Sequence, residues 1–254
     1  MESDYPLKSI LVAVPTMGGI MKSKTTQSLF LLSKVLASKG VNADMRNIDA
    51  SDVVTVRNIY ANTVLRSDRW DGLLFVDSDM EFLPRLVLKM LTFKAPAAAV
   101  AYPKKKIDLD LFAEAVRDDN DVAKARARSS DFNVLPRWNK ADTEPLKRVG
   151  SFCSMAAAGM GCSLIARGAF QAMVDAKVVP KRVDLRNSVK EESWGFFDPV
   201  KLGHVVLGED YSFWYRWTKL LGRSLWVCVD EEVSHVGDFS YSGLYSALLP
   251  ETKG

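Results

Sequence analysis

The chain has 254 residues, of which 48% are hydrophobic and 26% charged, a composition typical of a soluble globular protein with a sizeable core. A net charge of +3 excludes a global electrostatic signal for nucleic acid, although local basic patches are compatible with it. The cysteines Cys153, Cys162 and Cys228 are odd in number and lack C-x-x-C spacing, which argues against a disulfide framework or zinc site. The first residues lack a signal-peptide core, and the longest small-apolar run, 155–166, is too short to span a bilayer. We therefore expect a cytoplasmic protein.

The first predicted strand, residues 9–15, is followed by a glycine turn and a helix with a leucine stripe that ends at Gly40. The lysines and threonines after the turn resemble those of a phosphate-binding loop. The pattern G-x-x-x-x-G-K-[ST] is absent, however, because the residue directly before Lys22 or Lys24 is not a glycine. The sequence therefore argues against a P-loop ATPase.

Residues 41–48 form the second predicted strand, and Ser51 is the expected cap of a helix that runs to about Ser67. The predicted core side of this helix comprises Val56, Tyr60 and Val64. Asn58, Asn62 and Leu65 lie along another stripe, with Arg57 beside it, and an arginine and asparagines on one helix usually form its solvated face.

The apolar run at 73–76 predicts a strand buried on both faces of a mainly parallel sheet, because its residues do not alternate with polar ones. Asp77, Ser78 and Asp79 follow at its carboxyl end, where open α/β sheets place their ligands, and Pro84 begins the next helix. Two carboxylates one residue apart can share a divalent cation that neutralises phosphate oxygens. The alternative interpretation is that Asp77 only ends the strand and Asp79 caps the helix.

A further apolar run at 97–102 completes the order strand, helix, strand, helix, strand, which predicts a doubly wound α/β half. Three lysines, 104–106, follow it. They are either a solvated loop or, at the end of a sheet strand, groups such as Lys104 that face an anionic ligand. We expect one domain over 1–254, whose two halves meet at about residue 106.

The second half carries three further signals. Gly159 and Gly161 lie in a small-residue segment and allow either close approach to a ligand or tight packing of elements. Residues 178–194 are charged without periodicity, so we expect a mobile loop there. Glu209 and Asp210 begin a helix. Acidic residues in a first turn interact favourably with the helix dipole, which by itself explains many Glu-Asp pairs.

His235 follows the last predicted strand, 225–229, and a lone histidine is more often structural than functional. It is of interest because His204 is the only other histidine in the chain. Its place after the aspartates and the acid pair completes an ordered set of polar groups.

This order of motifs resembles the GT-A glycosyltransferases, in particular small family-two-like members from viruses and bacteria. The resemblance extends from about Ser9 to Tyr245. The segments that carry it are V-R-N-I-Y-A-N at 56–62, L-L-F-V-D-S-D-M-E-F at 73–82, A-Y-P-K-K at 101–105, A-G-M-G-C-S-L-I at 158–165, G-E-D-Y-S-F at 208–213 and H-V-G-D-F-S-Y-S-G at 235–243.

The resemblance implies a GT-A α/β fold and a metal-dependent transfer of sugar from a nucleotide-diphosphate sugar, with a UDP-sugar favoured, to an acceptor hydroxyl. It implies that Asp77, Asp79 and His235 form the metal site, in which Asp79 and His235 bind Mn²⁺ or Mg²⁺ and Asp77 holds the ribose or a metal-bound water. It also implies a mixed sheet, a Rossmann-like donor-binding half up to about residue 106 and an acceptor-binding half beyond it. Imidazole with carboxylate suits manganese somewhat better than magnesium. Glu209 and Asp210 resemble the acid pair over the acceptor hydroxyl in inverting members, in which one acts as general base.

The other residues that the resemblance implies lie around the donor and the acceptor. The predicted donor-binding residues are Pro15, Thr16, Arg57, Asn58, Asp77, Ser78, Asp79 and Lys104, and the predicted acceptor-binding residues are Gly159, Gly161 and Trp194. The glycine segment departs from relatives that carry threonine between the glycines. Two other functions stay open. One is a sugar-phosphate nucleotidyltransferase, which normally carries a glycine-rich basic loop after the first strand; residues 17–20 do not match that loop. The other is a non-catalytic nucleotide-binding module.

The acceptor interpretation rests on local charge. Seven basic and three acidic residues lie in 122–150, and five basic and one acidic in 177–190, so each segment has a net charge of +4. Trp138 and Trp194 lie within or beside these segments and could stack on an extruded base. A hydroxymethylated base in phage-type DNA is thus one candidate acceptor, and a cell-envelope saccharide or small molecule is the alternative. No membrane insertion and no obligate protein partner is inferred, and a viral protein would act in the host cytoplasm.

Overall fold

The central strand of the fold is the apolar run that precedes Asp77. In a computed structural model of the protein, all five residues of Gly72–Val76 are buried. Leu73 and Phe75 pack into one hydrophobic cluster, and Leu74 packs into a second cluster on the opposite face. The strand is therefore buried on both faces, as its lack of alternation predicted. The structure describes residues 7–119, 121–183, 192–237 and 240–249.

The helices of the described residues lie mostly in the first half of the chain. They are α1 (Ser23–Ser38), α2 (Val53–Leu65), α3 (Pro84–Phe93), α4 (Leu109–Asp119), α5 (Val122–Ser129), α6 (Arg167–Asp175) and α7 (Glu209–Trp214). A π-helical segment, Tyr215–Leu220, continues α7, and a 3₁₀ helix spans Tyr245–Leu248.

The strands of the described residues are short in the second half. They are β1 (Ser9–Thr16), β2 (Asn42–Asp49), β3 (Gly72–Val76), β4 (Met80–Glu81), β5 (Ala97–Val100), β6 (Pro103–Ile107), β7 (Ser130–Phe132), β8 (Val134–Leu135), β9 (Arg148–Val149), β10 (Phe152–Met155), β11 (Ala157–Ala158), β12 (Cys162–Ala166), β13 (Lys181–Val183), β14 (Glu192–Trp194), β15 (Lys201–Leu202), β16 (Val205–Val206), β17 (Leu225–Cys228), β18 (Val233–Val236) and β19 (Ser240–Gly243).

One eight-stranded mixed sheet has the order β2-β1-β3-β12-β5-β17-β10-β9. The pairs β1–β2, β1–β3 and β5–β17 are parallel, whereas β12 is antiparallel to both β3 and β5. The predicted α/β class is confirmed, and so is the mixed sheet that the resemblance implies. The sheet is not mainly parallel, as the run at 73–76 indicated, because β12 and β10 are antiparallel to their neighbours. Strands from both predicted halves of the chain share this sheet, because β12, β17, β10 and β9 come from the second half.

Helices cover both faces of the sheet. Val56 of α2, Phe170 of α6 and Phe213 of α7 belong to the first hydrophobic cluster. Leu32 of α1 and Leu86 of α3 belong to the second. The apolar stripes that the sequence indicated for α1 and α2 therefore predicted the buried sides of these two helices. None of the helices in the described part of the chain is both long and apolar enough to cross a membrane.

Three local expectations need correction. The side chain of Asp52, not Ser51, accepts the capping hydrogen bond of α2, from the amide of Val54. The helix α3 begins after Leu83 without a side-chain cap, so Asp79 does not cap it. The two ends of the segment predicted as a mobile loop, 181–183 and 192–194, form the antiparallel pair β13–β14. Asn62 of α2 binds the backbone of Trp194 in β14. Residues 184–191 of that segment lie outside the described residues.

Candidate active site

A cleft of about 300 Å³ lies at the carboxyl ends of β1 and β3. This is the edge of a parallel sheet at which ligands of α/β proteins bind. The residues that line the cleft are Pro15, Thr16, Met17, Ala50, Ser51, Val53, Val56, Arg57, Asp77, Ser78, Asp79, Glu209 and His235. The structure therefore brings together predicted donor, metal and catalytic residues from five separate parts of the chain.

Arg57 lies at the base of this cleft, in the second turn of α2, and only 3% of it is exposed. Its Nη2 donates to Asp77 Oδ1 at 3.0 Å, and its Nε lies 3.7 Å from Glu209 Oε1, too far for a hydrogen bond. Burial disfavours the cation, but the two carboxylates outweigh this and raise the pKa of Arg57. The Nε and Nη1 groups have no hydrogen-bond partner among the described residues. A buried guanidinium with unpaired N–H groups at the base of a cleft is suited to an anionic or oxygen-rich ligand.

The position of Asp79 depends on a short sheet rather than on the main one. β4 pairs antiparallel with β18, which places His235 opposite Met80. The amide of Val236 also donates to the carbonyl oxygen of Asp79 at 2.7 Å. This pairing brings the late histidine beside the early aspartate.

Asp79 and His235 face each other at the rim of the cleft. Asp79 Oδ2 lies 3.4 Å from His235 Nε2 and accepts a hydrogen bond from Lys105 Nζ at 2.6 Å. His235 Nδ1 lies 3.2 Å from the carbonyl oxygen of Pro103, which can only accept, so Nδ1 carries a proton. In a neutral imidazole the lone pair of Nε2 would then face a carboxylate oxygen. This geometry calls for a proton or a metal cation between the two groups.

The ionisation of Asp79 is favoured by its neighbours. Burial by itself disfavours the carboxylate, but the hydrogen bonds from His235 and Lys105 outweigh it and lower the pKa of Asp79 to about 2. Asp79 is thus an anion at all physiological pH values. The described residues contain no cluster of three or more His, Cys, Asp or Glu side chains arranged to hold a metal. Of the three predicted metal ligands, Asp79 and His235 are adjacent, whereas Asp77 is paired with Arg57.

Glu209 and Asp210 form the first turn of α7, and they lie in different environments. Glu209 lines the cleft and faces Arg57, whereas Asp210 Oδ1 accepts from the amide of Tyr211 at 2.7 Å. Burial, assisted by the charge of Glu209, raises the pKa of Asp210 to about 6. Asp210 can therefore exchange a proton near neutral pH, as a general base must.

The two glycines predicted to contact the acceptor are buried against Tyr102. The hydroxyl of Tyr102 accepts from the amide of Gly161 at 3.2 Å and from Asn133 Nδ2 at 3.0 Å. A Cβ added to Gly159 would overlap with both Tyr102 and Asn133. The carbonyl oxygen of Gly161 also accepts from the amide of Asp77 at 2.9 Å. In this structure the glycines allow close packing and hold Asp77; their acceptor contact stays a prediction.

Two buried asparagines on α2 bind the end of β14 and the segment that follows it. Asn58, only 3% exposed, donates to Asp198 Oδ1 at 2.9 Å and accepts from the amide of Phe197 at 3.0 Å. Asn62 exchanges hydrogen bonds with the amide and the carbonyl of Trp194, both at 2.9 Å. The expectation that these residues form a solvated face is wrong, because the second half of the chain covers them.

Two other predicted residues have neighbours of their own. Lys104 Nζ lies 2.8 Å from Asp131 and is not among the residues that line the cleft; the adjacent Lys105 binds Asp79 instead. The indole of Trp194 packs against the core beneath the ammonium group of Lys181, 5.7 Å from the ring centre.

Sequence reasoning missed the contacts of Tyr102 and Asp198, named Lys104 rather than its neighbour Lys105, and placed Asn62 on a solvated face. Lys105, Tyr102 and Asn62 lie inside the quoted segments A-Y-P-K-K and V-R-N-I-Y-A-N, so the motifs contained a signal for them. Asp198 carries no local signal, because its partner Asn58 is 140 positions away in the chain.

Comparisons with known proteins add a distant likeness. No family profile matches the chain, and no curated protein matches it. Among solved structures, A197 from STIV is 14% identical with a TM-score of 0.48, over 90% of this chain and 86% of that chain. GalNAc-T7 with UDP, GalNAc and Mn²⁺ is 9% identical with a TM-score of 0.41, over 92% of this chain and 45% of that chain. At such values neither likeness assigns an activity, a ligand or a residue role to this chain.

The raised pKa of Asp210 has a consequence for stability. The folded state holds the proton more tightly than the unfolded state, so the wild type loses stability as the pH rises from about 4 to about 6. Asp210→Asn removes this loss, and we expect it to stabilise the protein by about 2 kcal/mol at pH 7 and by little at pH 3.5. Urea unfolding at the two pH values measures the difference. Asp142→Asn, at an exposed carboxylate, is the control and should change neither value; an Asp210→Asn effect that does not depend on pH would contradict the assignment.

Proposed function

We propose that the protein is a metal-dependent glycosyltransferase that uses a nucleotide-diphosphate sugar, with a UDP-sugar favoured, as donor. The observation that carries the proposal is the cleft itself. It combines a buried arginine with unpaired N–H groups, an aspartate and a histidine that face each other, and Glu209 of the adjoining helix, next to which Asp210 is buried. A sheet edge with these groups can bind a diphosphate and activate a hydroxyl, which are the two tasks of sugar transfer.

Asp79 and His235 would hold Mn²⁺ or Mg²⁺. Their facing carboxylate and imidazole fit such a cation, because Nε2 is directed at Asp79 while the Pro103 carbonyl orients the ring. Two protein ligands are sufficient where phosphate oxygens and water complete the coordination. The bound cation would stabilise the charge on the departing nucleoside diphosphate. Lys105 contacts Asp79 and would contribute a second positive charge at the same place.

The remaining residues of the cleft would orient the donor. Pro15 and Thr16 would border the base and ribose, and Asp77, held by Arg57, would take a ribose hydroxyl or a water. The unpaired N–H groups of Arg57 would donate to oxygens of the donor. Their burial fixes the guanidinium before the ligand arrives, which lowers the entropy cost of binding.

Asp210 would accept the proton of the acceptor hydroxyl. With a pKa of about 6 it is mostly ionised at pH 7 and still basic enough to take a proton. Glu209 faces Arg57 and is thereby directed to the donor side, so Asp210 is the better candidate. A glycosyltransferase would release UDP from this cleft, and a nucleotidyltransferase would release pyrophosphate. A protein that only binds nucleotides would release neither.

The metal assignment predicts a loss of donor binding. Asp79→Ala should abolish Mn²⁺-dependent affinity for UDP while the fold is kept, because the residue lies at a strand end rather than in the core. Calorimetric titration of UDP with and without Mn²⁺ measures this. Asp49→Ala, an exposed carboxylate at the end of β2, is the matched control. If Asp79→Ala binds UDP and Mn²⁺ as tightly as the control does, the metal site is wrong.

The base assignment predicts a loss of turnover. Asp210→Asn should lower the transfer rate on the order of a hundredfold or more and leave donor affinity nearly unchanged. The assay measures release of UDP, with pyrophosphate as the readout that would indicate the nucleotidyltransferase. Glu209→Gln is the parallel variant. Full transfer rates in both variants would exclude a catalytic base in this pair and point to a retaining reaction.

The acceptor is proposed to be a hydroxymethylated base in DNA, and the support is the exposed arginines of α5, Arg126 and Arg128, within the basic segment. Trp138 gives less support, because its ring N–H already binds Thr218 at 2.8 Å. A cell-envelope saccharide or small molecule is the competing acceptor.

The DNA proposal predicts binding that weakens steeply with salt, together with a gain in mass on modified bases. Duplex binding at two salt concentrations, followed by mass spectrometry of hydroxymethylated DNA incubated with several nucleotide sugars, measures both. Replacing Arg126 and Arg128 with Gln should weaken binding, whereas Lys39→Gln, on the exposed end of α1, should weaken it much less. Weak, salt-insensitive binding with no mass gain would exclude DNA and leave the transferase proposal intact.

A further inference from the structure

The strand β2 is one of the two edge strands of the main sheet. It pairs with β1 through eight consecutive residues, and no described strand pairs with its other side. The amide of Asn42 donates to Lys8 and that of Ala50 to Thr16, so the even-numbered residues of β2 direct their backbone groups toward β1. The odd-numbered residues, including Met45, therefore direct their N–H and C=O groups outward.

An apolar groove opens beside this edge. It has a volume of about 250 Å³ and lies between α1 and β2, where Leu29, Leu36 and Ala43 line it. Phe30 and Met45, each 59% exposed, lie at its open side. An unpaired edge strand next to exposed apolar side chains is a surface on which another chain can add a strand.

We propose that the occupant of this edge is a second copy of the chain, which pairs antiparallel with it through β2 and makes one continuous sheet in a twofold-symmetric dimer. This inference concerns assembly and does not depend on the proposed function. A twofold axis perpendicular to the sheet keeps the same face in both copies, so the two α1 helices lie side by side. Phe30 and Met45 of each copy then cover the groove of the other.

Charge selects one register for this pairing. With the axis at Met45, outward backbone groups meet outward backbone groups, and Asp44 lies opposite the partner's Arg46 on each side of the axis. Axes at Asp44 or Arg46 would place like charges opposite each other. Axes at Ala43 or Asn47 would lose the charge pairs. The charges along β2 therefore favour self-association, whereas charges on edge strands commonly prevent it.

The face of β2 that carries these charges is already ordered. Trp70 Nε1 donates to Asp44 at 2.8 Å, and the guanidinium of Arg46 lies over the Trp70 ring at 4.9 Å. Asp44 also pairs with Arg69 at 2.7 Å. Since Trp70 holds both side chains, less entropy is lost when they pair with the second copy.

The oligomeric state tests the proposal. Sedimentation equilibrium of the wild type should give twice the chain mass of 28.2 kDa. Arg46→Glu puts an acid opposite Asp44 at both positions and should raise the dimer dissociation constant roughly tenfold or more. Lys140→Glu makes the same change in net charge at an exposed position elsewhere and should leave the constant unchanged. A monomeric wild type, or equal constants in the two variants, would overturn the proposal.

Cross-linking tests the register independently. Residues opposite each other in a hydrogen-bonded antiparallel pair have Cα atoms about 5.5 Å apart, a distance that a disulfide can bridge. Met45→Cys should therefore form a covalent dimer under mild oxidation, since the three native cysteines are buried. Leu220→Cys, exposed on the π-helical segment, should remain monomeric. If Met45→Cys cross-links no faster than Leu220→Cys while circular dichroism shows both to be folded, the β2 pairing is wrong.

Discussion

The buried charge of Arg57 is the constraint on which the arrangement of the cleft depends. A guanidinium that is removed from water is tolerated only when carboxylates compensate it. The compensating groups, Asp77 and Glu209, come from the end of β3 and the start of α7. The need to neutralise one arginine therefore ties α2, the central strand and the acid pair to each other. Removal of either carboxylate would leave the cation incompletely paired, at a cost larger than that of losing a surface ion pair.

The four acids of the site lie in different electrostatic environments. Asp77 and Glu209 face Arg57, and Asp79 is held by Lys105 and His235. Asp210 hydrogen-bonds the amide next to it, and its burial beside Glu209 raises its pKa. Asp210 is thereby kept ready to take up a proton, while the lowered pKa of Asp79 keeps that carboxylate anionic. Such a division is typical of sites that bind a cation and move a proton within a few ångströms.

The first half of the chain cannot form this site alone. β12, from the second half, lies between β3 and β5, and β18 fixes the turn that carries Asp79. The hydrogen bonds of Asn58 and Asn62 join α2 to residues 194–198, which precede the acid pair in the chain. The two halves of the chain are therefore coupled through packed backbone, and a change in one half is expected to alter the geometry of the other.

Local patterns determined much of this protein from its sequence: the buried run before Asp77, the proline that begins α3, and the stripe of α2. These features depend on neighbours within a few turns, where period and propensity act. The order of the motifs also indicated that His235 and Asp79 belong together. Only the tertiary structure decided that β12 inserts antiparallel into the sheet, that Asn58 is buried, and that Lys105 rather than Lys104 reaches Asp79. Those outcomes depend on contacts between residues that lie far apart in the chain, for which a single sequence has no local signal.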